Sequence, residues 1–317
     1  VSNTQWESLS VQAVAVVGVV YFLALLAHLA EWAVLRKLPN EAPVDARTRT
    51  FGRFGFLLTV IGACVHLIGL VGRGMAADPN RVPWGNMYEF VLSGTFMVVL
   101  IFLLLRARFH LQWLAPVVVG FVLVILMVSQ LTLYEEVVPL TEALSSPWLV
   151  IHVVSAVIAT GAFSIGAMLS VLFLIKERSS ERTTGFIGRM PAPEVLDRVA
   201  YRVHAFAFPV WTFAVLITGP IWAHYAWSRY WGWDAKEVWA FITWVVYAAY
   251  LHARATAGWK GRNAAIVALV GVATLWFNFI GINYFFGGSS QHSYAAPAVV
   301  SVQGPADASV PLSPGTR

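Results

Sequence analysis

Residues 227–237 read WSRYWGWDAKE. Trp227, Tyr230, Trp231, Trp233 and Asp234 fall within eight positions, and a long apolar run follows at once. With Trp222, Trp239 and Trp244, six of the chain's 14 tryptophans lie in one stretch of 23 residues. An aromatic belt at a membrane surface also uses tryptophan, but it scatters its residues over many helix ends. Clustered indoles make a flat, rigid, apolar platform with N–H donors at its edge. A large planar ligand with a polar rim suits that platform. Asp234 followed three residues later by Glu237 is a capping-box pattern that starts a helix, and this role can coexist with one in a site.

The eight histidines are the other chemistry-bearing set. Ionisable residues inside a membrane are functional candidates, and neutral imidazole is a ready metal ligand. His152, His224 and His292 fall near the tryptophan-rich end of the segments that carry them. Trp148 and His152 are four apart and share a helix face. His292 is six residues past Phe286, a reach of at most ~20 Å, so a tail can fold back over the platform. Taken singly, each histidine reads as a satisfied structural residue. Two of them flanking an indole platform match what haem needs, namely two axial imidazoles and a hydrophobic planar cradle. His28, His204 and His252 fall toward the opposite ends of their segments, His66 lies within one, and His110 lies in a loop. His252 shares a helix face with Trp244, Val245, Ala248 and Ala249, and the alanines leave room beside the imidazole. It lies ~22 Å deeper than Glu237 at 1.5 Å per residue. Histidine sites on both sides of a membrane imply a ligand that crosses. The competing reading of His252 is a snorkelling interface residue beside Arg254.

Those residues have to be positioned by something, and the composition names it. The chain has 317 residues, 58% apolar and 12% charged, against about a quarter charged in a soluble domain. Mean hydropathy is +0.70. A helix needs ~20 apolar residues to span ~30 Å of hydrocarbon. Eight segments qualify: about 11–34, 54–72, 88–105, 113–131, 148–175, 203–223, 238–253 and 264–286. The longest loop, 176–202, is mostly polar. No basic n-region with a small-residue cleavage site precedes the first segment, which is expected to stay as an anchor. The single cysteine, Cys64, excludes an internal disulfide and a thiolate metal cluster. Placing the loop after the first segment inside puts 16 of the 21 cations on the inner side, following the positive-inside rule. Arg73, Arg81, Arg229, Lys236 and Arg317 are left outside.

The expected fold class is therefore all-α, a polytopic integral membrane protein with about eight transmembrane helices and both termini extracytoplasmic. An eight-helix membrane unit occupies 1–286, with the tryptophan-rich segment at about 222–237. An extracytoplasmic, mostly disordered tail occupies 287–317 and carries His292.

WAHYAWSRYWGWDAKEVWAFITWVVYAAYLHAR, residues 222–254, closely resembles the WWD motif and following helix of the CcsA/ResC-type proteins of cytochrome c biogenesis system II. These belong to the haem-handling superfamily that also holds the CcmC and CcmF types. GNMYEF (85–90), SSPWLVIH (145–152) and QHSYA (291–295) extend the resemblance over most of the chain. Ser228 stands where a Gly is usual, and Ala235 where a Pro is usual.

The resemblance implies that His152 and His292 are outer axial ligands of haem iron, with Trp227, Trp231, Trp233 and Asp234 as the binding platform. It implies that His252 ligates haem (haem b, as substrate) in transit, the second ligand coming from a ResB/CcsB-type membrane subunit. The implied task is to deliver haem across the bacterial plasma membrane to its extracytoplasmic face. There apocytochrome c joins the haem vinyl groups through its CxxCH cysteines. The chain would act as a subunit of a holocytochrome c synthase, or haem lyase. Thioredoxin-like reductants would keep the cysteine thiols reduced. Arg73, Arg81, Arg229 and Lys236 are candidate propionate partners. Three readings compete. A CcmC-like haem exporter feeding a chaperone would be shorter, with fewer spans. A b-type redox cytochrome pairs histidines on one helix, and here His204 and His224 stand 20 apart. A small-molecule transporter shows charged or broken-helix sites near the midplane, and the chain has little of either.

Overall fold

The computed structural model describes residues 1–36, 44–138, 144–179 and 185–285, and among them there is no strand. The helices are α1 (Asn3–Leu35), α2 (Ala46–Met75), α3 (Met87–Phe109), α4 (Ala115–Thr132), α5 (Pro147–Arg178), α6 (Gly185–Arg189), α7 (Pro193–Thr212), α8 (Gly219–Trp227), α9 (Ala235–Thr256), α10 (Arg262–Trp276) and α11 (Ile282–Phe285). A π-turn over Phe213–Thr218 joins α7 to α8, and a second over Phe277–Gly281 joins α10 to α11. Seven of the continuous helical stretches are long and apolar enough to cross a membrane, α7 through α8 counting as one. The chain is a multi-pass, all-α membrane protein. The remaining expected segment, 238–253, lies within the 22-residue α9. That helix is ~33 Å long, and its charged ends and aromatic polar tips make it less apolar than the others.

Caps explain why several helices start earlier than apolarity alone predicts. Ser2 and Gln5 form a capping box, so α1 begins at Asn3 rather than near residue 11. Asp45 accepts from the Thr48 backbone N–H at 3.0 Å and opens α2 eight residues before the expected 54. Pro193 sits in the first turn of α7, ten residues before the expected 203. The apolar positions Leu196, Val199, Ala200 and Val203 recur at helical spacing and are buried, which turns part of the expected polar loop into amphipathic helix.

Packing rests on small residues. On α1, Val14, Tyr21 and His28 recur every seven residues, and on the antiparallel α2 so do Gly69, Gly62 and Gly55. A Cβ at Gly55 would meet the His28 ring, one at Gly62 the Tyr21 ring, and one at Gly69 Val14. A seven-residue seam of this kind gives left-handed knobs-into-holes packing, and glycine lets the two backbones approach. His66 stitches three helices together. Its Nε2–H donates to the Leu92 carbonyl at 3.0 Å, and its Nδ1 faces the Tyr21 hydroxyl at 3.4 Å. α5 is the most buried span and forms the centre. Ion pairs tie the two ends of the bundle. At one end Arg254 holds Asp197 through two hydrogen bonds, 2.6 and 3.0 Å. At the other, Arg73 links Glu89 and Glu7, and Arg81 also binds Glu89, at 2.6 Å.

Candidate functional site

The tryptophan-rich loop is built by two carboxylates. Asp234 Oδ1 accepts from the Glu237 backbone N–H at 3.0 Å. Glu237 Oε2 accepts in return from the Asp234 N–H at 3.2 Å and from the Gly232 N–H at 2.7 Å. The capping box read from the sequence is present and starts α9. The two bonds to Glu237 bracket Trp233, which sits in the left-handed region at φ 57° and points its indole outward, 69% exposed. Ser228, at φ 57°, ends α8 in the left-handed C-terminal position that glycine usually fills. A residue with a Cβ costs about 1–2 kcal/mol in that conformation. The sequence names Glu237 as the capping-box partner of Asp234, but not its further bond to Gly232, which shapes the loop.

Among the described residues the indoles make two sets of contacts. Trp222 and Trp227 pack with Trp84, Leu149, Val153 and Val157 at the start of α5. The His152 ring lies nearly parallel to Trp222, with centroids 5.8 Å apart and 14° between planes, and Trp227 meets Trp222 edge-on at 4.9 Å. Trp231 and Trp233 belong to the second group. Trp231 meets Trp233 edge-on at 5.8 Å and Phe241 at 6.4 Å, and Phe241 stacks on Trp244 at 5.8 Å. This group runs from the loop along α9. Trp231 Nε1 is buried and has no acceptor among the described residues.

His152 is oriented by the π-turn. Its Nδ1 lies 2.9 Å from the Ala214 carbonyl oxygen. A carbonyl only accepts, so Nδ1 carries the proton and Nε2 carries the ring's lone pair, the tautomer a metal ligand needs. In an α-helix the Ala214 carbonyl would be closed by the backbone N–H of residue 218. Here the wider turn passes it to the Gly219 N–H. Pro220, which lacks an N–H and crowds the preceding turn, accounts for the widening. A Cβ at Gly219 would stand 3.2 Å from the His152 ring, so glycine leaves the space in which the imidazole lies.

The other histidines separate cleanly. His252 is exposed and shares its face of α9 with exposed Phe241, Val245 and Ala249. His204 packs against Tyr247 and Tyr250, on the opposite side of α9 from His252, and is fully buried with both ring nitrogens unpaired among the described residues. His28 hydrogen-bonds Thr59 at 3.3 Å, and His66 is satisfied as described. His224 stacks on Tyr230, centroids 4.4 Å apart, and is exposed. His292 and the tail 287–317 lie outside the described residues. Among the candidate propionate cations, Arg73 is fully buried. Its guanidinium is committed to Glu89, Glu7 and the Glu135 carbonyl. Arg81 makes two bonds to Glu89. Arg73 of α2 holds the ends of α1 and α3 to it, Arg81 ties the segment between α2 and α3 to α3, and Glu89, from the GNMYEF stretch, is the shared anion.

The sequence model of the family described as cytochrome C assembly protein matches residues 84–288, from Trp84 through the tryptophan-rich loop and beyond α11. The chain is similar to the cytochrome c biogenesis protein CcsA of Chlamydomonas reinhardtii, 36% identical over 225 residues, covering 68% of this chain and 61% of that protein. It is also similar to CcsA of Synechococcus sp. (strain JA-2-3B'a(2-13)), 30% identical over 340 residues, covering 84% of this chain and 95% of the relative. Among solved structures it resembles the cytochrome c heme lyase CcmF, with a TM-score of 0.60 and 16% identity. That likeness covers 88% of this chain but 47% of the lyase and concerns the fold. The family match extends over more than half the chain and the two CcsA relatives over 68% and 84% of it, so this chain belongs to the cytochrome c assembly family as a CcsA-type protein of cytochrome c biogenesis.

Proposed function

We propose that this chain delivers haem b across the bacterial plasma membrane and presents it on the extracytoplasmic face to apocytochrome c. In this reading haem is the substrate, and covalent attachment to the CxxCH cysteines takes place while the chain holds the iron. The observation that carries the proposal is the His152–Ala214 hydrogen bond beside the Trp222–Trp227 pair. It sets the tautomer that can donate Nε2 to iron, next to aromatic surface able to cover a porphyrin. The Trp231 Nε1–H adds a donor for a polar haem edge. His292, carried by the tail, is the proposed second outer ligand, and Trp227, Trp233 and Asp234 complete the platform.

His252 is the proposed ligand for haem in transit. Its place on an exposed face of α9 supports a second ligand supplied by another chain, a ResB/CcsB-type membrane subunit. His204, on the other side of α9, is not its mate. The two termini are proposed to lie outside with the tryptophan-rich loop, and thioredoxin-like proteins to keep the cytochrome cysteines reduced. The unit so formed is a system II holocytochrome c synthase.

The test is to purify the chain with its membrane partner and compare haem content and absorption spectra of His152→Gly, His292→Gly and His224→Gly. The first two are expected to lose or alter the same outer haem and to stop cytochrome c maturation, whereas the third retains both. An unaltered outer haem in His152→Gly would remove the proposal's central ligand.

A further inference from the structure

We propose that Thr218 tunes the ligand strength of His152 by competing with it for the Ala214 carbonyl, so that haem is held yet can be handed over. This inference rests on the reading that His152 ligates haem. The Ala214 oxygen has two lone pairs. The Gly219 backbone N–H takes one direction through the π-turn. The His152 Nδ1–H at 2.9 Å and the Thr218 hydroxyl at 3.1 Å contend for the other. Thr218 has a second acceptor at the same distance, the Phe213 carbonyl, also at 3.1 Å. The residue is fully buried, so its hydroxyl has these two carbonyls and no solvent to choose from.

The two hydroxyl orientations have opposite effects on the imidazole. When Thr218 donates to Phe213, the Ala214 carbonyl is left to His152. The Nδ1–H bond then strengthens, and electron density moves toward Nε2, making it a stronger donor to iron. When Thr218 donates to Ala214, it draws on the same oxygen, and Nε2 becomes a weaker donor. A ligand that must yield to the incoming CxxCH histidine needs such moderation, because too strong a donor traps the haem. The wider π-turn makes both carbonyls reachable by one side chain. Thr218 is thus a positioning residue that acts through His152 and does not touch haem.

The experiment compares Thr218→Val, which removes the hydroxyl at nearly constant volume, with Thr218→Ser, which keeps it. In the haem-free protein, 15N-histidine NMR is expected to show a stronger Nδ1–H bond at His152 in the Val variant and the parental signal in Ser. In the haem-loaded complex with its partner, the outer haem's midpoint potential is expected to move negative in Val. The imidazole concentration that displaces His152 is expected to rise about 2- to 10-fold, the range one neutral hydrogen bond is worth. Ser is expected to match the parent. Parental Nδ1 signal, potential and imidazole sensitivity in Val would overturn the inference. So would a Ser variant that shifts as far as Val, since packing of the methyl would then be the cause. His152→Gly with an unaltered outer haem would instead remove the ligation reading beneath it, and the haem-free NMR comparison tells the two failures apart.

Discussion

Asp234 and Glu237 each accept the other's backbone N–H, and Glu237 reaches one bond further, to Gly232. The aspartate of the tryptophan-rich motif is therefore a helix cap in fact, whatever else it does. Asn caps about as well as Asp, whereas Ala costs about 1 kcal/mol. Asp234→Asn is expected to accumulate normally. If the charge acts on haem or on a ligand imidazole, that variant still loses cytochrome c maturation and shows an altered outer haem. Normal maturation in Asp234→Asn would reduce the residue to its cap. Immunoblots paired with haem staining of cytochrome c give both quantities.

His204 of α7 packs against the face of α9 opposite His252, which separates a packed histidine from a proposed ligand. His204 is buried among aromatic rings, with neither ring nitrogen paired among the described residues, an arrangement that costs stability. His204→Phe is expected to keep haem content and maturation. His252→Ala is expected to lose the transit haem, with partial recovery when imidazole is supplied as a free ligand. Haem loss in His204→Phe with normal protein levels would make His204 the ligand instead.

Arg73 and Glu89 form a pair with both side chains fully buried. Removing one partner of such a pair costs about 3–5 kcal/mol, because the other is left as an uncompensated charge. Arg73→Leu is expected to lower the protein's abundance and its thermal midpoint in detergent. Arg73→Leu combined with Glu89→Gln is expected to recover part of the loss. A single variant with parental stability would show that the network does not hold α1, α2 and α3 together.

The cation asymmetry makes a topological prediction. A reporter active only outside the cytoplasm is expected to be active when fused after Tyr294 and silent when fused in the 176–202 region. Reversed activities would place the tryptophan-rich loop on the cytoplasmic face and sink the presentation model.

The all-α membrane class and the capping box were legible in the sequence because each depends on neighbours in the chain. Apolar runs long enough to span a bilayer announce themselves, and Asp234-Ala-Lys-Glu237 carries its own hydrogen-bond pattern. Even so, local chemistry was underread at the start of α7, where an amphipathic stretch with buried Leu196 and Val199 looked like polar loop. The motif resemblance named His152, but nothing local to it could name its orienter. The Ala214 carbonyl lies 62 residues away and is made available by a π-turn that no hydrophobic period encodes. The division of the indoles into a Trp222–Trp227 group and a Trp231–Phe241 group was likewise decided by which helix each one meets. The same holds for Arg73, whose side chain the sequence left as an outer cation. Its partners come from α1, α3 and the segment after α4, and only the packing of those elements brings opposite charges close enough to be buried together.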